Sequence, residues 1–180
     1  MSTTQNRYHF ASIILHWLML ILLVGVYAAI ELREFFPKGS DPREALKFWH
    51  FTLGMSVFAL VWLRIAARLI WPAPAPATDG PAWQHVTAKA MHLALYVLMI
   101  GMPLAGWLIL SAEGKVIPFF GLELPALAAE NDALAERIES LHKLGGTIGY
   151  WLIGVHAFAS LFHHYVLRDR LIARMLPLRT

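Results

Sequence analysis

The chain has 180 residues, of which 58% are hydrophobic and only 15% charged, with a net charge of +3; an ordinary soluble domain carries roughly 25% charged residues, so the balance excludes a water-soluble globule and points to a membrane protein. No cysteine is present, which excludes disulfides, covalent CxxCH haem attachment and cysteine-held iron–sulfur clusters, and leaves histidine as the main ligand for any metal or haem. The four arginines of the last thirteen residues read as a membrane flank rather than as a nucleic-acid surface.

Four apolar stretches, Ile13–Ile30, Phe48–Trp71, Met91–Leu110 and Leu144–Leu167, approach the roughly 20 residues needed to cross about 30 Å of hydrocarbon. They predict an all-α membrane protein, a single domain over 1–180 built as a four-transmembrane-helix bundle with spans near 10–31, 46–71, 84–110 and 142–168. The first run is longer than a signal-peptide core and carries its own His16, so it reads as a span. Placing both termini in the cytoplasm puts eight basic residues inside and seven outside, a narrow balance tipped by the arginines of the C-terminal flank.

In chain order, Thr3 to Phe10 is a polar lead-in whose Ser/Thr residues suit a helix cap, and His9 is expected to be a solvated interfacial histidine. Helix I carries His16 in its inner half. Pro37, Gly39 and Pro42 signal turns in the outer loop from Glu31 to Lys47. Helix II starts near Leu46, places His50 at its outer end, and continues down one face to Arg64 and Arg68. These arginines suit an anionic cofactor edge such as a haem propionate, or snorkel to the interface. Trp71 to Gly80 reads as an extended Pro/Ala tether. Helix III carries His85, a surface residue, and His92 at its inner margin, which suits a ligand, a quinone partner or an interfacial histidine. Pro103 is expected to kink it. The loop from Ser111 to Ser140 is broken by Gly114, Pro118, Gly121 and Pro125, and Leu127, Leu134, Ile138 and Leu141 then predict a short amphipathic capping helix.

The stretch Leu141–Tyr165 organises the rest. His142, His156 and His163 are fourteen and seven residues apart, which returns them to one face of a helix. Gly145, Gly149, Ile153 and Ser160 fill that stripe and leave room for something flat. Histidine is costly in hydrocarbon unless satisfied, so the row implies a functional site. Bis-histidine haem ligation needs rings from different helices facing across a porphyrin. His50 and His142 make an outer pair; His16 faces His156 in an inner pair for which His163 competes. The fourteen-residue step sets the two levels about 21 Å apart. A zinc site would gather its ligands at one depth, and a proton relay leaves the glycine-lined stripe unexplained.

The stretches SIILHWLM, AIELREFFPK, WHFTLGMS, MHLALYVLMIGMPLAG and LHKLGGTIGYWLIGVHAFASLFHHY together resemble the bacterial four-helix dihaem cytochrome b561 family, related to the cytochrome b subunits of nickel–iron hydrogenases and especially similar to its superoxide oxidase type. The resemblance implies two haem b groups on His16, His50, His142 and His156, which selects His156 over His163. It further implies ubiquinone near His92 and His163 at the cytoplasmic side of the bacterial inner membrane, and oxidation of superoxide to dioxygen at the outer face. An anionic substrate profits from local positive charge, so Lys47, Lys143 and Arg33 are expected to steer superoxide. Two other classes remain: an electron-transfer subunit coupling a dehydrogenase or hydrogenase to the quinone pool, and a non-redox scaffold or transporter whose histidines are packed polar groups.

Overall fold

The computed structural model describes residues 7–75 and 81–176. Among these, four long α-helices run in order, α1 Phe10–Leu32, α2 Asp41–Ile70, α3 Ala82–Ala112 and α4 Asp132–Tyr165, with an antiparallel hairpin, β1 Ile117–Phe119 and β2 Leu122–Leu124, between α3 and α4. Each helix is long and apolar enough to cross a membrane. The fold is the expected all-α bundle of four candidate spans. Residues Thr3 and Thr4, offered as caps, and the end of the Pro/Ala tether from Pro76 to Gly80 lie outside the described residues.

Local chemistry moves several boundaries. His9 caps α1, its Nδ1 accepting from the Ala11 N–H at 3.3 Å, and its ring stacks on Trp71 at 4.0 Å; it is a structural residue rather than a solvated one. Helix α2 starts at Asp41, five residues before Leu46, because Pro42 lies in its first turn, where the missing N–H has no intrahelical partner to lose. Asp41 and Glu44 add negative charge at the same end. Arg43, only 8% exposed, donates to the carbonyls of Arg33 and Phe36 and to the Glu34 carboxylate, fastening the end of α1 to the start of α2.

The amphipathic capping helix expected before residue 142 is not separate. It is the first ten residues of α4, Asp132–Leu141, capped by Asn131, whose side chain accepts from the Leu134 N–H at 3.0 Å. No proline or glycine interrupts Asp132–Leu141, so once capped the helix propagates into the span. At the other end α4 stops at Tyr165, three residues before the expected 168. The hairpin between α3 and α4 turns on Phe120 and Gly121, with φ of 48° and 82°, the two successive left-handed residues that a tight two-residue hairpin turn requires.

The closest backbone packing joins α1 to α2 and α3 to α4, and α2 to α3 links the two hairpins. Met19, Val57, Val61 and Met99 form the buried cluster at their junction. Helix α4 has only Ala135 and Gly149 buried and meets α1 largely through side chains. Its exposed Trp151, Phe158 and Tyr165 form the apolar exterior that a lipid solvent accommodates.

Candidate cofactor site

The histidines collect where α4 faces α1 and α2. At the level nearer the β1–β2 hairpin, termed outer for its expected orientation, the rings of His50 and His142 stand 6.2 Å apart, and at the level nearer the chain termini, termed inner, those of His16 and His156 stand 6.3 Å apart. Two imidazoles bound through one nitrogen each at about 2 Å from a shared metal place their ring centres about 6.4 Å apart. Both pairs have that separation.

The outer level is the better prepared. His50 Nδ1 lies 3.0 Å from the Val26 carbonyl. As a donor there, it fixes the tautomer that leaves Nε2 a free lone pair, the arrangement that metal-binding histidines adopt. The buried Nδ1 of His142 has only a loose contact with the Met102 backbone as its partner, so this ring is held less firmly than that of His50. Both rings line a cavity of about 340 Å³ together with Gly54, Gly106, Met99 and Met102. A Cβ on Gly106 would stand 3.5 Å from the His142 ring, so a small residue keeps this wall thin.

At the inner level, the Arg64 guanidinium donates to His16 Nδ1 at 3.2 Å. Arginine has no acceptor, so His16 here carries its proton on Nε2. Ligation through Nε2 needs the opposite tautomer, and Arg64 must then turn from His16 toward another acceptor. Arg68 lies over the Tyr8 ring at 5.2 Å, a cation–π contact suited to the interface. His92 stands 5.6 Å from His156, on the side of the inner pair contributed by α3.

The histidine His163 is held elsewhere. Its Nδ1 meets the Asp169 carboxylate at 2.6 Å, in the turn that follows α4. Sequence reasoning did not foresee this partner, although a carboxylate six residues after a histidine at a helix end was its available signal.

Two features of the stripe differ from their reading as open space. A Cβ on Gly145 would meet the Met102 sulfur at 2.5 Å, and one on Gly149 would collide with the Tyr27 hydroxyl and pack on Leu98 at 3.2 Å. These glycines admit neighbouring side chains. Tyr27 also donates to the Gly146 carbonyl at 3.0 Å, which places its ring between the two histidine levels. The Tyr150 ring lies 4.3 Å from that of Tyr27, tilted by 48°, and its hydroxyl donates to Glu31; neither tyrosine stood out in the sequence.

The basic residues expected at the outer face are each paired with a carboxylate, Arg33 with Glu34 at 3.0 Å, Lys47 with Glu44 at 2.7 Å and Lys143 with Glu139 at 2.8 Å. Arg33 and Lys143 line the outer cavity. Lys47 does not, and it spans one turn of α2 to its glutamate.

A membrane-spanning helical bundle with paired histidines between its helices defines a class of electron-carrying membrane cytochromes. The family model described as "Prokaryotic cytochrome b561" matches residues 7–178, and the chain belongs to that family: it is an integral membrane b-type cytochrome that binds haem and transfers electrons. Among its relatives, "Cytochrome b561 homolog 1" of Escherichia coli (strain K12) is 35% identical over 97% of this chain and 99% of its own length. "Probable superoxide oxidase CybB" of Yersinia pestis is 36% identical over 96% and 97%. "Cytochrome b562" of Cereibacter sphaeroides is 29% identical over 97% and 98%.

Proposed function

We propose that the chain is a superoxide:ubiquinone oxidoreductase of the bacterial inner membrane, with its termini in the cytoplasm and with two haem b groups held by His50 and His142 outside and by His16 and His156 inside. The observation that carries this reading is the repeated ring separation of 6.2 and 6.3 Å at two levels along α4, against α2 at one and α1 at the other. The name of the relative in Yersinia pestis supports superoxide as the donor. Bound at these sites, haem supplies reversible one-electron transfer.

The protein's own groups divide the remaining work. Val26 holds the His50 tautomer through its carbonyl. Arg33 and Lys143 border the outer cavity and draw superoxide toward it, each partly screened by its glutamate. Arg64, displaced from His16, balances an anionic carboxylate at the inner level. His92 and His163 hydrogen-bond the carbonyls of ubiquinone and supply protons. The reaction balances as two superoxide anions, one quinone and two protons giving two dioxygen molecules and one quinol.

A second reading, an electron-transfer subunit for a dehydrogenase or hydrogenase, is favoured by one observation: the three basic residues expected to steer superoxide, Arg33, Lys47 and Lys143, are already paired with glutamates, which weakens the field for an anion. Rapid mixing of the purified cytochrome with superoxide distinguishes the two. The main reading expects fast appearance of the reduced haem b spectrum, followed by reoxidation with quinol formation when ubiquinone is present. A haem spectrum indifferent to superoxide would leave the second reading.

A further inference from the structure

The turn after α4 is built around one carboxylate. Arg168 and Arg170 both adopt left-handed backbone, with φ of 57° and 55°, a conformation unfavourable for a residue with a Cβ. Between them Asp169 has a side chain only 2% exposed. Its Oδ1 accepts from the Leu171 N–H at 3.0 Å, its own N–H donates to the His163 carbonyl at 3.2 Å, and its Oδ2 meets His163 Nδ1 at 2.6 Å. The side chain of His163 is 29% exposed.

The chain beyond the turn is anchored by other contacts. A 3-10 turn at Ile172–Met175 runs back under α1, where Trp17 donates to the Met175 carbonyl at 2.6 Å and Arg7 to that of Leu176 at 2.6 Å, while Arg174 donates to Ala75 at 2.7 Å. With these anchors present, one tight hydrogen bond to His163 is a surplus for chain tethering alone.

We infer that Asp169 is a positioning residue for quinone reduction: it holds the Nδ1–H of His163 and so presents Nε2 as the proton-exchanging atom. The inference rests on the reading of His163 as a ubiquinone partner. A buried carboxylate fixes both the ring orientation and the tautomer of a histidine, which leaves Nε2 free to take a proton from water at the inner face. His163 then passes the Nε2 proton to a quinone oxygen as the two electrons arrive, and returns to the neutral ring still hydrogen-bonded to Asp169. One proton leaves His163 and one is taken up from water per transfer, so the pair is regenerated.

The test compares His163→Gln, Asp169→Asn, Asp169→Glu and Arg174→Gln in the haem-loaded protein, with superoxide as donor and a short-chain ubiquinone as acceptor. Asp169→Asn is expected to lower kcat for quinone reduction at least about tenfold with little change in KM, Asp169→Glu to recover most of it, and Arg174→Gln, which loosens the same segment without touching the pair, to leave it unchanged. Nitrogen-15 imidazole resonances of the reduced protein, assigned by difference against His163→Gln, provide a readout independent of turnover. The strongly hydrogen-bonded Nδ1–H signal should vanish in Asp169→Asn and persist in Arg174→Gln. If His163→Gln reduces quinone as well as the unaltered protein, the quinone reading of His163 itself fails. If His163→Gln is slow but Asp169→Asn is not, or if Arg174→Gln is as slow as Asp169→Asn, the positioning role is overturned and Asp169 only holds the segment.

Discussion

Lys143, which adjoins His142, forms an i,i+4 pair with Glu139, and under the proposed function the balance between them sets the charge that superoxide meets. Exposed pairs of this kind are worth little in stability, so either partner can be changed without unfolding α4. Glu139→Gln is expected to raise the superoxide rate about twofold at low salt and Lys143→Gln to lower it by a similar factor, both differences shrinking as ionic strength rises; stopped-flow rates at two salt concentrations read this directly. Gly149 carries a different constraint. Because a Cβ there collides with the Tyr27 hydroxyl and crowds Leu98, Gly149→Val should destabilise the bundle by about 1–3 kcal/mol, seen as a lower melting temperature followed by the haem absorption band. The histidine row was legible because a seven-residue step is close to two helical turns and histidine is conspicuous in an apolar segment. The partners of these residues were not. That Tyr27 fills the gap beside Gly149, or that Asp169 turns back on His163, depends on how separate elements meet, and neither contact has a periodic signature.

Among the elements, the long helices declared themselves through hydropathy, and their cores fall where the sequence places them. Their ends did not, because caps and first-turn prolines act over two or three residues and mimic loops. Pro42 signals a turn in isolation yet opens α2. The amphipathic stretch before His142 reads as a separate helix by its change in polarity, yet the backbone is indifferent to that change and α4 runs through it. Asn131 caps this 34-residue helix and its N–H is tied to the Ala112 carbonyl at 2.8 Å, so the cap also fixes the loop between α3 and α4. Asn131→Ala should cost about 1 kcal/mol, measured by denaturant titration of the helical circular dichroism signal, with haem content unchanged. The short hairpin escaped the sequence reading because three-residue strands are too brief for alternation to register.

At the scale of the whole molecule, two helical hairpins pack through Met19, Val57, Val61 and Met99, while the seam between α4 and the first hairpin carries the polar and aromatic groups. Val57 and Met99 of that cluster also line the cavity beside His50 and His142, so the packing core and the histidine seam share a wall. Helix α4 contributes one histidine to each level and acts as the common wall of both. The two levels, about 21 Å apart by helical rise, form a series path in the proposed function: electrons enter at His50 and His142 and leave beyond His16 and His156.

The most direct measurement of that series path uses His16→Ala, which removes the inner pair and leaves the outer one intact. Mixed with superoxide in the presence of ubiquinone, this variant should retain one haem b that is reduced at close to the original rate, while quinol formation falls at least about tenfold. Quinol formed at the original rate by His16→Ala would contradict the account, because it would mean that electrons reach ubiquinone without the inner histidine pair.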